Sequence, residues 1–200
     1  MRVIECDQRS AEWWEARRGL PTASSFDKIV TSTGEPSKQR KAYLYQCAAV
    51  RISGLYDDSY TSAAMQRGIE MEEEARLVYA MEYEVAVDEI GFCVSDDERY
   101  GCSPDGLIGE DGLLEIKCPL GKTHVEYLIR GKLPDAYVQQ CQGQLLTTER
   151  KFCDFVSYYR GLPMLVVRVF PDVEFLAKLE AELIRFCDEL DEICENIGGA

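Results

Sequence analysis

The 200-residue sequence predicts a mixed α/β fold, with a central mixed β-sheet flanked by helices. Three observations predict it. Helix-like segments dominate residues 10–83. The pattern then changes to β-type alternation between residues 84 and 119, and β-rich runs return at 152–171. An amphipathic segment closes the chain, with Val173, Leu176, Leu179, Leu183, Phe186, Leu190 and Ile193 at three- and four-residue steps. A chain of this length is expected to form one domain, residues 1–200, with a core that needs no staples.

Each element has a local reason. "SAEWWEARR" reads as a short helix with Ser10 as its N-cap. "GLPTASSF" breaks it, and Thr22, Ser24 or Ser25 can cap a following helix, "SFDKIVTS". Residues 31–39 are a polar loop with Gly34 and Pro36. "RKAYLYQCAAVRISGL" reads as a helix ending near Gly54, and "SAAMQRGIEMEEEARLVYAMEY" as another that tolerates Gly68 at about 1 kcal/mol relative to Ala. "EVAVDEIGFCVSDD" alternates as a strand. "YGCSPDGLIGEDGLLEIKCP" reads as two strands around a tight turn at Gly109–Gly112. "KTHVEYLIRG" and "DAYVQQCQGQLLTT" read as helices, with Pro134 just ahead of the second. "FCDFVSYYRG" and "PMLVVRVFP" read as strands around a Gly-Leu turn, and the closing helix ends at Gly198–Gly199.

Composition narrows the class. Hydrophobic residues make up 46% and charged residues 29%, as in an ordinary globular protein, and no apolar run approaches the length of a membrane helix. The first residues lack the apolar core of a signal peptide, so a cytoplasmic protein with no membrane partner is expected. Nine cysteines form no CxxC pair and have a single histidine, His124, for company, which argues against a zinc or iron–sulfur site. Their odd number argues against a disulfide framework, so they read as small buried hydrophobes. The net charge is −14, a poor composition for neutralising phosphates. It is uneven: residues 1–60 carry 9 Lys and Arg against 8 acids, residues 172–200 only 2 against 9. Bases of the N-terminal region with Lys122, Arg130 and Lys132 are expected to line a channel, while the C-terminal helix turns its acids outward.

The chemistry concentrates in "GCSPDGLIGEDGLLEIKCP". In a strand, Glu115 and Lys117 project together and Ile116 faces the other layer, with its carbonyl available at the strand edge. If the turn closes, Asp105 approaches Glu115. Two carboxylates and a carbonyl oxygen suit Mg²⁺ or Mn²⁺. Such an ion makes a water more acidic and stabilises charge on a phosphoryl oxygen, and a neighbouring lysine orients a nucleophile or stabilises developing charge. The spacing D-x9-E-x-K also fits an acidic hairpin with an incidental Lys–Glu surface pair, and by itself leaves both readings open. Apolar neighbours on both sides of the charged pair favour the first, because Lys and Glu are seldom held there without partners.

"SPDGL" and "LLEIKCP" resemble the catalytic core of PD-(D/E)XK nucleases, and more narrowly of the phage lambda exonuclease / YqaJ-type viral recombinase family. "WWEARRGLPTAS" is similar to that family's W-x3-R-x-G-x2-TAS stretch, "RGIEMEEEAR" to its helix with G-x3-E, and "YVQQCQGQLLTT" to its late helix with Y-x2-Q-x-Q. Four motifs in order cover most of the chain. The resemblance implies a restriction-endonuclease-like core. It makes Asp105 and Glu115 metal-binding carboxylates, Ile116 a carbonyl ligand, Lys117 the catalytic lysine and Glu72 the acid of the earlier helix. Gln140 falls near the active site, Arg17 and Ser24 contact the 5′ phosphate of a DNA end, and Thr22 supports that pocket.

The residues also carry plainer readings. Gly68 and Glu72 share a helix face, which lets backbone pack closely while Glu72 points into a cleft. Glu70, Glu73 and Glu74 read as solvated acids. Arg17 suits a surface salt bridge as well as a terminal phosphate, and "TASS" suits simple capping as well as an anion site. Most of the glutamines near Gln140 are expected to face solvent, Trp13 and Trp14 to join the core, and His124 to be a surface or capping residue. The resemblance implies a Mg²⁺-dependent 5′ to 3′ exonuclease on double-stranded DNA ends that leaves 3′ overhangs for strand annealing. It further implies a homotrimer around DNA and a single-strand annealing protein as partner. The alternatives are a restriction or repair endonuclease of the same superfamily, and a catalytically silent DNA-end or protein-binding module.

Overall fold

The computed structural model describes residues 1–56 and 63–198. Helix α1 spans Ala11–Ala16, and the Ser10 hydroxyl accepts from the Trp13 amide as its N-cap, an interaction that contributes about 1 kcal/mol. Helix α2 (Arg40–Ser53) stops at Gly54, where φ is 70°, a left-handed cap that glycine adopts without strain. Helix α3 covers Ala63–Tyr83; Ser62, the expected first residue, lies outside the described residues. Between α1 and α2, the expected helix "SFDKIVTS" is instead a 3-10 segment, Ala23–Lys28. Thr22 stands at its N-cap position without capping it. Its hydroxyl is already engaged by Arg17 Nη2 (3.1 Å) and Ser24 Oγ (3.3 Å).

The strands form two sheets where one central sheet was expected. A small antiparallel sheet joins β1 (Arg2–Ile4), β2 (Phe92–Val94) and β3 (Gly101–Cys102). The N-terminal strand β1 has no strong local signal, and the long strand expected over 84–97 shrinks to the three residues that β1 pairs with. The main sheet has the order β4 (Gly106–Ile108), β5 (Gly112–Lys117), β6 (Phe152–Ser157), β7 (Leu165–Val169). It is mixed, because β5 and β6 run parallel while its other pairs are antiparallel. The turn between β4 and β5 closes as the sequence predicts, with Gly109 at φ 53°. The long connection from β5 to β6 carries helix α4 (Gly121–Arg130), a 3-10 turn at Asp135–Tyr137 and helix α5 (Val138–Thr148). Helix α6 (Val173–Ile197) closes the fold, capped by Asp172 and ended by Gly198; the expected final Gly199 lies outside the described residues.

Strand β5 is the middle of everything. Leu114 and Ile116 pack on Met71, Ala75 and Tyr79 of α3. Leu113, on the other face, packs on Cys141 and Leu145 of α5. Burial on both faces explains the near-continuous apolar run of β5. A third cluster joins α2, α6 and the 3-10 segment through Phe26, Leu44, Leu179 and Phe186. Seven of the nine cysteines are buried, two are half-buried, and all are free thiols, as the composition predicts. Among the described residues, no helix is long and apolar enough to cross a membrane.

Two helix glycines behave differently. A Cβ on Gly143 of α5 would lie 2.4 Å from Phe26 Cδ2, and the Phe26 ring is fully buried. Among the described residues, a Cβ on Gly68 of α3 would meet only the Cys118 carbonyl, at 3.8 Å, an ordinary contact. The close approach anticipated at Gly68 is therefore found at Gly143. Replacing a helical Gly by Ala gains about 1 kcal/mol of helix propensity, while overpacking a rigid core costs roughly 1–3 kcal/mol. Thermal denaturation is expected to show Gly68→Ala raising Tm slightly and Gly143→Ala lowering it by several degrees, at about 2–4 °C per kcal/mol for this chain length. Equal Tm values for the two variants would contradict the tight α5 contact.

Candidate active site

All nine candidate residues line one cavity of about 190 Å³. It sits at the C-terminal end of β5, where β4 has stopped. Gly106 pairs with Leu114, so Asp105 lies just beyond the ladder, level with Glu115. The Asp105 amide still donates to the Leu114 carbonyl (2.9 Å). Its side chain then takes over from the missing strand: Oδ2 accepts from the Ile116 amide at 2.6 Å. In an extended strand the N–H and C=O of one residue point to the same edge. The Ile116 carbonyl therefore faces the Asp105 side, whereas the Lys117 carbonyl, which accepts from the Tyr158 amide at 2.9 Å, faces β6.

Glu115 is a buried carboxylate, 1% exposed. Three donors meet it: Gln140 Nε2 on Oε1 at 2.6 Å, Gln144 Nε2 on Oε2 at 2.5 Å, and Lys117 Nζ on Oε1 at 2.5 Å. Hydrogen bonds to a charged group contribute about 1.5–3 kcal/mol each, and unpaired burial would cost more than any one of them gains. The incidental surface pair is thus excluded for Glu115 and Lys117. Burial works to lower the Lys117 ammonium, but Glu115 and Asp105 outweigh it and hold it above its usual value. Lys117 is an ammonium here, suited to stabilising negative charge and not to taking a proton. Burial, then the charges of Glu115 and Glu72, push the Asp105 carboxyl well above its usual range.

Glu72 reaches the same cavity from α3, its side chain 16% exposed, with Arg9 Nη2 on Oε2 at 2.8 Å and Arg76 Nη2 4.0 Å from Oε1. Its neighbour Glu74 is not simply solvated: Tyr158 donates to it at 2.7 Å and Arg160 pairs with it, and Arg160 first, then Tyr158, hold its carboxyl down at about 2. On the opposite wall, the Arg17 guanidinium lies 4.1 Å from the Trp13 ring centre and donates to Thr22 Oγ1. Arg17 makes no ion pair among the described residues. Ser24 is exposed at the cavity mouth beside Thr22.

Several residues were missed or misjudged from sequence. Gln144 shares the duty of Gln140 one helical turn later, a spacing that carries the signal. Arg9 has no such signal; it sits at φ 70°, an uncommon conformation for a side-chain-bearing residue, next to its Glu72 contact. Gln139, Gln142 and Gln144 are buried, not solvent-facing. Gln142 donates to the Phe170 carbonyl and accepts from the Asp172 amide, tying α5 to the start of α6. Trp13 is buried as expected and donates to Ser103 Oγ at 2.8 Å, but Trp14 is 39% exposed. His124 is fully buried, between Ser157 Oγ (2.8 Å) and the Pro163 carbonyl (2.9 Å), not at the surface. Arg40 and Arg51 are spent on Glu189 and Asp191 of α6 and Arg130 on Glu126, so the anticipated channel loses those bases. Glu182 of α6 is buried against Arg40 and Arg185, so the helix does not turn all its acids outward.

The donor set fits a hard divalent cation. Among the described residues, no three His, Cys, Asp or Glu side chains form a ready cage. What they offer is two carboxylates, Asp105 and Glu115, and the Ile116 carbonyl on one strand end, with Glu72 reaching the same cavity from α3. Mg²⁺ commonly binds through one or two carboxylates and keeps several waters. Crowded carboxylates that push Asp105 upward are a site that a cation relieves. The same crowding makes a stability prediction. The unfolded chain releases the Asp105 proton near its usual value of 3.8, while the folded chain keeps it to higher pH. The folded state thus binds more protons above that pH, and the wild type loses stability as pH rises. Asp105→Asn in EDTA is expected to match wild-type Tm near pH 3 and exceed it at pH 7; a variant less stable at pH 7 would contradict this electrostatic account.

The model of the YqaJ-like viral recombinase domain matches residues 12–151. An alkaline exonuclease from Laribacter hongkongensis (LHK-Exo) is 36% identical and superposes with a TM-score of 0.86, covering 94% of this chain and 96% of that one. The same protein solved in complex with dAMP gives 37% identity and the same TM-score of 0.86. A phage-related exonuclease from Haemophilus somnus 129PT, at 14% identity and TM-score 0.69, shares the fold over 92% of this chain and 99% of its own. No curated protein matches the chain. The match over residues 12–151 and the likeness to LHK-Exo agree with the motifs gathered round the cavity: the chain belongs to the YqaJ-like viral recombinase family.

Proposed function

We propose that the chain is a metal-dependent exonuclease that degrades double-stranded DNA from its ends, 5′ to 3′, leaving 3′ single-stranded overhangs for recombination by strand annealing. The observation that carries this reading is the opposition across one cavity. Asp105, Glu115, Glu72 and Lys117 stand on one wall, and Arg17, without a carboxylate partner among the described residues, stands on the other beside Thr22 and Ser24. Family membership and the 36% identity to an alkaline exonuclease support the same reading.

Asp105, Glu115 and the Ile116 carbonyl would hold Mg²⁺ or Mn²⁺, with Glu72 supporting it. The ion supplies Lewis-acid stabilisation of phosphoryl charge and a more acidic water. Gln140 and Gln144 fix the Glu115 carboxylate so that it need not reorganise. Lys117, kept as an ammonium by Glu115, stabilises charge developing at the scissile phosphate. Arg17, pre-oriented by Trp13 and Thr22, grips the 5′ phosphate together with Ser24. A homotrimer around the duplex, a single-strand annealing partner and a place in the host cytoplasm belong to the same proposal.

The test is digestion of a linear duplex labelled at either end, with Mg²⁺ or with EDTA. The 5′-labelled end is expected to release mononucleotides first, only with metal, while closed circular duplex stays intact. Lys117→Ala and Asp105→Ala should fall at least about 10²–10³-fold. Arg17→Ala should lose about 10- to 100-fold in its preference for 5′-phosphorylated over 5′-hydroxyl ends. Cutting of closed circles would move the chain to the endonucleases, and activity unchanged by both Lys117→Ala and Asp105→Ala would overturn the catalytic assignment.

A further inference from the structure

Arg76 sits one turn after Glu72 on α3, its side chain 14% exposed. Its guanidinium reaches three separate parts of the chain. Nε donates to the main-chain carbonyl of Asp105 at 3.0 Å. Nη1 pairs with Glu89 Oε1 at 2.6 Å, in the segment between α3 and β2. Nη2 stands 4.0 Å from Glu72 Oε1. The Glu89 segment is itself fastened to β4: the Asp88 amide donates to the Leu107 carbonyl (3.0 Å), and the Leu107 amide donates back to the Asp88 carbonyl (2.8 Å). One side chain therefore ties α3 to the head of β4 twice, on Asp105 itself and beside the residue that pairs with Leu107. Arg76 does not line the candidate active-site cavity. It lies behind Glu72 and Asp105, in a neighbouring space lined by the acids Glu5, Asp7, Glu12 and Glu89. Such surroundings repel a phosphate, so any part Arg76 plays in the chemistry runs through the two carboxylates it touches.

Glu72 and Asp105 must lie close together to serve one cation, yet like charges at short range repel. Arg76 answers both demands. Its bond to the Asp105 carbonyl fixes the backbone from which that carboxylate projects, while the Asp105 carboxylate itself stays on the Ile116 amide. Its charge draws Glu72 from the same side without a hydrogen bond to it. Arg9 holds Glu72 Oε2, and among the described residues Oε1 has no donor at hydrogen-bond range. The guanidinium thus orients Glu72 and leaves one of its oxygens open. A lysine ammonium is a point charge on one atom and cannot span acceptors spread in this way.

We propose that Arg76 is a positioning residue for the cation site: it sets the separation of Glu72 and Asp105 so that both can turn oxygens toward the same divalent ion. The assignment rests on the reading of Asp105, Glu115, Ile116 and Glu72 as the cation's holders. Removing a group that orients metal ligands typically costs about 10–100-fold in metal affinity.

Calorimetric titration of the full chain with Mn²⁺ alone, without DNA, tests it. Arg76→Ala is expected to weaken Mn²⁺ binding by at least about tenfold, and Arg76→Lys to recover only a minor part of the loss. Arg160→Ala, which removes the ion pair of Glu74 on the same helix, should stay within about twofold of wild type. In digestion of a linear duplex, the Mn²⁺ concentration for half-maximal rate should rise by at least about tenfold in Arg76→Ala. Saturating Mn²⁺ should then restore most of kcat, with KM for the duplex unchanged. Wild-type Mn²⁺ affinity in Arg76→Ala or Arg76→Lys would overturn the proposal, as would a loss of activity that excess Mn²⁺ does not restore. Far-UV circular dichroism in EDTA checks that α3 is intact, and Arg76→Lys, which keeps the charge, carries the test if Arg76→Ala unfolds. The titration needs no turnover. Weakened Mn²⁺ binding in Arg76→Ala of a chain that cuts no DNA keeps this assignment and removes the nuclease reading. Nuclease activity with Mn²⁺ affinity unchanged in Arg76→Ala does the reverse, and no Mn²⁺ binding by the wild type overturns the assignment together with the cation site.

Discussion

The burial of the Glu115 carboxylate organises the molecule. An acid with almost no exposure is tolerated only with matched donors. Two of the three come from one helix, Gln140 and Gln144 of α5, so α5 must lie close along β5. That closeness is matched on an adjoining face of α5, where Gly143 leaves room for the Phe26 ring of the 3-10 segment. The 3-10 segment in turn carries Ser24 and follows directly on Thr22, and Thr22 receives the Arg17 guanidinium. A single buried charge is thus connected, contact by contact, to the opposite wall of the cavity.

Asp105 plays the complementary part at the strand edge. Strand β4 is short, and the Asp105 side chain satisfies the Ile116 amide that a longer β4 would have paired. Ending the ladder there leaves the Ile116 carbonyl on an edge that faces the cavity. The site is built from the place where a sheet stops, with backbone and side-chain oxygens converging. Its acids are balanced locally by Lys117 and Arg9, which reduces repulsion without filling every oxygen.

The strongly acidic composition is largely handled elsewhere. Arg99 bridges Asp188 and Asp191 of α6, Arg51 also takes Asp191, and Arg40 takes Glu182 and Glu189. These pairs fasten α6 to α2 and to the loop before β3. They also consume bases that the charge distribution alone would have offered to DNA. The bases left without acid partners among the described residues include Arg17, beside the cavity, Lys28 of the 3-10 segment, and Lys122 and Lys132 near α4. Net charge describes the whole surface, whereas recognition depends on which few cations remain unpaired.

The sequence by itself determined the local matters. Alternation put Glu115 and Lys117 on one face of a strand, the Gly109 turn returned Asp105 to their level, and helical steps placed Leu179, Leu183, Phe186 and Leu190 on the buried face of α6, although Val173 at its start is exposed and Phe175 is buried instead. These depend on periodicities of two and 3.6 residues, which the chain carries wherever it folds. The four motifs also brought together, ahead of any structure, nine residues that do share a cavity. Only the tertiary structure decided who meets whom. Arg9 and Glu72 are 63 residues apart, Gln144 and Glu115 are 29 apart, and strand β1 exists only because β2 pairs with it. The segment after Thr22 is a 3-10 turn where a helix was expected, with the Thr22 hydroxyl held by Arg17, and His124 is held inside by Ser157 and Pro163. Such pairings are set by long-range packing and by the need to match every buried polar group, and neither leaves a periodic trace in the chain.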